Sequence, residues 1–409
     1  MLDFVCFSVN FWEKRWDRKH NFMFSLSRKE CVGKVVYVEP AMNLIRLLLF
    51  PRAEIGSPEG MERWKRALSF GFSELNDKLI LFTPLFVLPL WRFYPIYKID
   101  RFMNVIILKS KLRSLGIREP VLWFYHPYDA CVLDYWKDRK AACFDWAELW
   151  SEWFVEFSPK RLKFVAELEE RMIRGCDLVF TVSQELTRRA RRWNPNSHFL
   201  ASGASLEMFE GIGKDDIPED IERIPQPIVG YVGTIGERVD VELLYKISRR
   251  FPKASLVLVG RVLKDRIDPE VLEGLKARDN VYFLGEREYR ELPGYIAAFK
   301  VGIIPYIPER IKLNEPTKHY DYLAAGKPVV STAIEELLRF KDYIYIARSH
   351  EEFLELLDRA LNEDDPERAR KRLRFMEGNT WSVRADEILE NLRKFITLKN
   401  SSLDTFWGR

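Results

Sequence analysis

The sequence predicts an α/β fold of two domains, each a parallel sheet with helices on both faces. Two observations in the second half carry this. Runs such as PIVGYVG (Pro227–Gly233) and ASLVLVG (Ala254–Gly260) are apolar throughout, without the alternation of a half-exposed strand, so both of their faces need cover. Between them, Leu243, Leu244, Ile247 and Phe251 recur at helical spacing. A third observation is that the first half repeats the theme less regularly. With 409 residues the chain is long enough for two such cores.

In the first half, strands are predicted at Phe4–Val9, Val35–Val38, Val121–Tyr125, Ala141–Phe144, Leu178–Val182 and His198–Ala201, with helices over 161–176 and 184–193. Leu79–Trp91 is the most apolar stretch. It contains two prolines, falls short of the roughly 20 residues that span a bilayer, and reads as a buried strand with its turn or as a dip into a membrane surface. Residues 211–226, rich in Asp, Glu, Pro and Gly, read as a linker. In the second half, strands are predicted at Pro227–Gly233, Ala254–Gly260, Val281–Leu284, Val301–Tyr306, Pro328–Thr332 and Tyr343–Ile346. Helices fall at 241–251, 269–277, 288–298, 316–325 and 349–362. A last helix starts near Trp381, capped by Thr380 or Ser382. The predicted division is therefore 1–210, a linker 211–226, 227–378, and a terminal helix and tail over 379–409.

Composition narrows the functional classes. Apolar residues at 47% and charged residues at 31% exclude a disordered chain. Five cysteines without a CxxC spacing predict reduced thiols in a cytoplasmic protein and no zinc site. The N-terminus lacks the basic start and apolar core of a signal peptide. Residues 1–210 hold 32 Lys/Arg against 26 Asp/Glu, and the remainder 33 against 35. That excess suits an anionic membrane face or an acidic substrate, and equally an ordinary solvated surface. No nucleic-acid partner is expected.

Two motifs carry chemistry. Gly230-Tyr-Val-Gly233-Thr-Ile-Gly236 follows a strand, where glycines let backbone amides approach a diphosphate; a plain strand-to-helix turn is the other reading. Its G-x-x-G-x-x-G spacing disfavours NAD. The second motif runs from Asn314 to Thr332. Pro316 suits a first helical position, which turns the amides of Thr317 and Lys318 outward at a positive helix end, and Lys318 adds a full charge. Asp321 lies one turn on, placed to accept hydrogen bonds from ribose or sugar hydroxyls, or else to form a surface pair with Lys318.

The stretch Pro316-x-Lys318-x-Tyr320-Asp321-Tyr-Leu-Ala-Ala-Gly326-Lys-Pro-Val-Val resembles the donor helix of GT-B-fold glycosyltransferases of the family 4 and family 1 type, in particular those of teichuronic-acid type. Gly230–Ile235, Ala254–Gly260, Asn280–Gly285, Asp177–Leu186 and Ser202–Phe209 match that family's other segments in order; Val38–Pro40 and Trp123–Pro127 match more weakly. The resemblance implies two Rossmann-like domains facing a cleft, with a nucleoside-diphosphate sugar of UDP or GDP type on the C-terminal one and no required cofactor or metal. By position, Gly233 and Thr234 would meet the diphosphate through their amides, Thr317 and Lys318 would hold its other side, and Arg261 would add a second cation. Asp321 would bind the ribose, while Gly285, Glu286 and Tyr289 would lie near the base. His126 and Asp145, each at the end of a predicted strand, are the acceptor-side candidates, Asp145 as a base. The acceptor implied is a glycan or lipid-linked sugar at the cytoplasmic face of a membrane. The sequence also departs from the family. Asp321 stands for a Glu, Leu313 takes an earlier Glu's place, and the Arg and Lys after the glycine loop are missing, with Arg238 nearby to compensate. A non-catalytic nucleotide-sugar-binding scaffold and a nucleotide-sugar epimerase of the same fold stand as alternatives.

Overall fold

Val, Ile, Leu and Phe dominate the strands of both halves, and most of these strands are buried, the edge strands Phe72–Glu74 and Val281–Gly285 less so. The computed structural model describes residues 1–407 apart from 13–15, 88–92, 154–157 and 312. The chain divides into two units, Met1–Ala201 with Ala385–Arg409, and Ser202–Arg384.

The first unit contains β1 (Leu2–Phe7), β2 (Val32–Val38), β3 (Met42–Asn43), β4 (Phe72–Glu74), β5 (Leu79–Phe82), β6 (Leu85–Phe86), β7 (Val121–Phe124), β8 (Ala141–Trp146), β9 (Leu178–Thr181) and β10 (Ser197–Phe199). Eight of them form a sheet in the order β10-β9-β8-β7-β1-β2-β5-β4, parallel except for the β4–β5 pair, and β3 and β6 make a separate parallel ribbon. Leu79–Phe82 is thus a buried strand, while the end of the predicted Leu79–Trp91 stretch lies outside the described residues. Helices at Arg18–Ser27, Pro58–Ser69 and Tyr94–Ser114 were not legible as helical text.

The second unit holds β11 (Ile228–Val232), β12 (Ser255–Val259), β13 (Val281–Gly285), β14 (Val301–Ile304), β15 (Val329–Thr332) and β16 (Tyr345–Ala347) in the all-parallel order β13-β12-β11-β14-β15-β16. Gly230 belongs to β11 rather than to the turn; a Cβ there would lie 2.3 Å from the Phe299 ring.

The division falls at Ala201/Ser202, not in the stretch that composition marks as a linker. Residues 211–226 belong to the second unit, because Ile221 and Ile224 pack into its core. The last helix, Trp381–Trp407, is capped by Thr380, whose hydroxyl accepts the Val383 amide at 3.1 Å. From Ala385 onward it is counted with the first unit, with Ala385, Ile388, Leu389 and Leu392 buried. All five cysteines are free, four of them buried. Among the described residues no helix is long and apolar enough to cross a membrane.

Candidate functional site

In the second sheet the chain runs outward from β11 through β12 to β13, then returns to β14 on the other side of β11. At such a reversal the loops leaving the two central strands diverge, which opens a crevice at their carboxyl ends. The Gly233 loop leaves β11 there, and the Lys318–Ala324 helix follows β14.

Backbone pairing continues beyond the strands and fixes this rim. The Gly233 amide donates to Val259 O at 2.9 Å, Ile235 N to Arg261 O at 2.9 Å, Leu263 N to Ile235 O at 2.8 Å, and Gly260 N to Gly285 O at 2.8 Å. Gly260 has φ +150, and a Cβ there would lie 2.0 Å from the Gly233 carbonyl oxygen, so only glycine fits. Gly233, Thr234, Arg261 and Gly285 therefore share one edge. Glu286 and Tyr289 continue from β13, two strands out from β11. Arg261 is exposed, as its predicted role requires.

Lys318 meets that edge directly. A Cβ on Gly233 would sit 3.3 Å from its Cε. Its ammonium donates to the Tyr306 hydroxyl and lies 4.3 Å from the Tyr306 ring centroid and 5.3 Å from that of Tyr231. Tyr231 in turn donates to Thr234 O at 2.9 Å, with its oxygen 3.4 Å from that of Tyr306. The ammonium can only donate, so Tyr306 accepts from it, and the single Tyr231 proton is shared between the nearer Thr234 carbonyl and the Tyr306 oxygen. Burial alone would raise the Tyr306 phenol, but the Lys318 charge and the bonds from Lys318 and Tyr231 outweigh it and leave it below its ordinary value. The Arg238 charge acts on the same phenol in the same direction. Asp240 caps the following helix and accepts from His350.

The helix begins two residues later than Pro316 suggests. Thr317 is its cap residue, Lys318 its first turn, and the Pro316 carbonyl is taken by His319 Nδ1 at 2.6 Å. Only seven residues long, this helix has a weaker dipole than a full one, so the charge of Lys318 matters more than the helix end. Asp321 is half-buried; desolvation pushes its carboxyl up to about 7, with the Lys318 charge opposing.

Three site residues carried no sequence signal beyond their neighbourhood. Tyr231 and Tyr306 read as strand-end aromatics. Glu315, just ahead of Pro316, is buried and accepts the Ser202 amide at 3.1 Å, the Tyr320 hydroxyl at 2.9 Å, and Arg339. It anchors the segment that leads into Lys318.

The acceptor-side candidates in the first unit have different surroundings. Asp145 is fully buried, and Arg18 clamps both its oxygens, Nε to Oδ2 at 3.0 Å and Nη2 to Oδ1 at 3.1 Å. A base must reach a substrate proton, so Asp145 is a structural ion pair and not the predicted base. His126 Nδ1 accepts the Tyr128 amide at 3.2 Å, and burial above all holds its imidazole down to about 4. In that neutral tautomer the proton sits on Nε2, which makes His126 a hydrogen-bond donor there rather than a base. The aromatic, basic loop Asn10–Trp16 lies partly outside the described residues. No group of three or more His, Cys, Asp or Glu is arranged to hold a metal among the described residues.

This geometry has known counterparts. Residues 226–363 match the family model described as glycosyl transferases group 1. TuaH of Bacillus subtilis (strain 168), named as a candidate teichuronic acid biosynthesis glycosyltransferase, is 24% identical over 218 residues, 49% of this chain and 53% of that protein. The chain thus matches about half the length of this curated relative. Sucrose-phosphate synthase from Thermosynechococcus elongatus superposes with a TM-score of 0.70 at 16% identity, covering 97% of this chain and 100% of that one. Anabaena HepE in complex with UDP-glucose gives 0.67 at 11%, covering 96% and 100%. Residues 226–363 are thus similar to the group 1 glycosyl transferases, and the chain shares its fold with these solved structures.

Proposed function

We propose that the protein is a glycosyltransferase that moves a sugar from a nucleoside-diphosphate sugar to a glycan or lipid-linked acceptor. The observation that carries this reading is Lys318, its ammonium held by Tyr306 against the Gly233 loop at the reversal of strand order. When the glycosidic bond to the diphosphate breaks, negative charge builds on the leaving group. A fixed cation and backbone amides aimed at that position stabilise it in the transition state. In this reading Lys318, with Arg238 and Arg261 as further cations, meets the diphosphate beside the Gly233–Thr234 loop, flanked by Pro316 and Thr317; the Gly233 amide, bonded to Val259 O, shapes that loop and does not itself meet the diphosphate as the sequence predicts. Asp321 accepts the ribose hydroxyls, and Gly285, Glu286 and Tyr289 line the base. No cofactor or metal is required. HepE was crystallised with UDP-glucose, which makes UDP the first donor base to test, with GDP the second.

The acceptor belongs, in the same reading, at the cytoplasmic face of a membrane, which the basic excess of the first half favours. The scaffold alternative rests on the missing Glu, Arg and Lys of the family pattern, and the epimerase has no observation of its own in its favour.

The test is a thermal-shift panel of UDP, GDP, ADP and NAD on the whole chain, repeated with Lys318→Ala. A rise in melting temperature with one diphosphate, lost in the variant, is expected. A well-folded protein that responds to none of the diphosphates overturns the reading. Sugar inversion without an acceptor would identify an epimerase, and tight donor binding without any transfer or hydrolysis a scaffold.

A further inference from the structure

The Tyr94–Ser114 helix in the first unit is inverted for a surface facing water. Its inward side carries Asp100, Arg101 and Asn104 among Tyr97, Val105, Leu108 and Leu112. Its outward side carries Ile99, Phe102, Met103 and Ile106, at steps of three, four and seven residues, with Ile99 and Ile106 each 52% exposed. The inward polar groups are held in place: Arg101 pairs with Asp129 at 2.7 Å, and Asn104 donates to Leu85 O at 3.0 Å. The helix therefore cannot simply turn its apolar stripe inward.

A second apolar outcrop precedes it. The short helices Leu44–Leu49 and Pro51–Ile55 contain no buried residue, and Leu48, Leu49 and Phe50 are 72%, 66% and 59% exposed. The two outcrops are linked through one ribbon, since Asn104 of the Tyr94–Ser114 helix donates to Leu85 O in β6. The first follows β3 directly, the second lies beyond β6, and β3 and β6 pair in parallel.

Charge selects the occupant. Over residues 44–114 the sequence holds 12 Lys/Arg against 6 Asp/Glu, whereas the rest of 1–210 balances at 20 against 20. Arg66, Arg101 and Lys109 pair with Glu39, Asp129 and Asp138 outside the segment, which still leaves an excess of three positive charges on the segment that exposes these apolar side chains. Apolar exposure alone would suit a protein partner; its coincidence with positive charge suits an anionic bilayer, where the apolar groups enter the headgroup boundary and the basic ones meet lipid phosphates. With no spanning helix among the described residues, the contact lies in the plane of the surface.

We propose that Leu44–Ile55 and the outward stripe of the Tyr94–Ser114 helix form a docking surface for an anionic lipid bilayer. The proposal extends the membrane-side acceptor reading, yet it is tested without any substrate. Whole protein is sedimented with vesicles of phosphatidylcholine alone and with added phosphatidylglycerol. The wild type is expected to follow the phosphatidylglycerol vesicles and to be partly released by salt. Ile99→Glu/Ile106→Glu and Leu48→Glu/Leu49→Glu should each lower that partition at least about tenfold. Arg52→Gln/Arg113→Gln, which leaves the apolar groups in place and guards against a misfolded glutamate variant, should weaken binding to phosphatidylglycerol vesicles only. Wild type that stays in the supernatant overturns the proposal, as do variants that bind like wild type. So does a wild-type dimer that the glutamate variants turn into monomers, since the stripe would then face a second copy. The diphosphate thermal shift, measured on the same variants, should not change; its absence in wild type would count against the donor site and leave this surface standing.

Discussion

The two units handle the carboxyl ends of their strands in opposite ways. In the first, the carboxylates there are already neutralised from within: Asp145 by Arg18, Asp129 by Arg101 and Tyr97, Glu39 by Arg66 and Thr83, Asp17 by Lys19 and His20. In the second, Lys318 donates to a neutral phenol between two ring faces, and Asp321 is held near neutrality by desolvation. A set of charges that satisfy one another holds a fold together. Among the described residues Lys318 hydrogen-bonds only to a phenol, which leaves its charge available to an anion, and the half-buried Asp321 carboxyl has no cation bonded to it, which costs stability.

Substitution of one charge from each unit should separate these roles. Asp145→Ala leaves the Arg18 guanidinium buried without its partner, which costs about 3–5 kcal/mol. Urea unfolding should show that loss, while the fraction still folded binds diphosphate as wild type does. Lys318→Ala should do the reverse. The side chain is only half-buried, so the unfolding free energy should change by about 1 kcal/mol or less. Its kcat/KM should fall about 100- to 1000-fold, the size of effect seen when one group that stabilises transition-state charge is removed. A Lys318→Ala protein as unstable as Asp145→Ala would erase the contrast and return Lys318 to the structural residues.

The same contrast explains what could be read in advance. Strands with continuous apolar text, such as Ala254–Gly260, announce themselves because burial on both faces leaves no alternation, and the second unit is built largely from these. The first unit hides its helices. Tyr94–Ser114 turns Asp100 and Arg101 inward and Ile99 and Ile106 outward, so its periodicity points away from the core instead of toward it. Lys318 and Gly233 were legible because glycine and a cation next to a helix start have a local chemical meaning. Tyr306 was not, because its importance arises from a contact twelve residues along the chain that only the β14-to-helix connection creates. Asp145 misled for a related reason: a strand-end aspartate looks the same in sequence whether it faces substrate or, as here, an arginine 127 residues away.

A smaller effect probes how Lys318 is held. Tyr306→Phe removes the hydroxyl that receives its ammonium and breaks the path to Tyr231 and the Thr234 carbonyl. A single such hydrogen bond is worth about 1 kcal/mol, so donor KM should rise up to about tenfold with kcat less affected. Tyr231→Phe should reproduce part of this, and the double variant should fall short of the sum, because both act on one chain. Strict additivity would mean that the two hydroxyls act separately and that the Gly233 loop is held by its backbone ladder alone.

The mildest test uses pH. The Asp321 carboxyl is held at about 7, above an ordinary value of about 4, chiefly by desolvation. Between those values the folded protein keeps a proton that the unfolded chain has lost, so this group makes stability fall as pH rises from about 4 to about 7 and adds no further slope above that. Binding should run the other way. Ribose hydroxyls donate hydrogen bonds more strongly to a carboxylate than to a neutral acid, so diphosphate affinity should climb a few-fold as pH passes about 7. The nucleotide's own terminal phosphate titrates near 6 and would contribute a rise of its own. Asp321→Asn retains that contribution and lacks the carboxyl, so the difference between the two affinity profiles, measured by calorimetry, isolates the residue. A break near 7 that disappears in the variant places Asp321 on the ribose. Profiles that run parallel would mean that its carboxyl titrates out of contact with the nucleoside, and the ribose would then need another acceptor on the same rim, with Glu286 beyond β13 the first to examine.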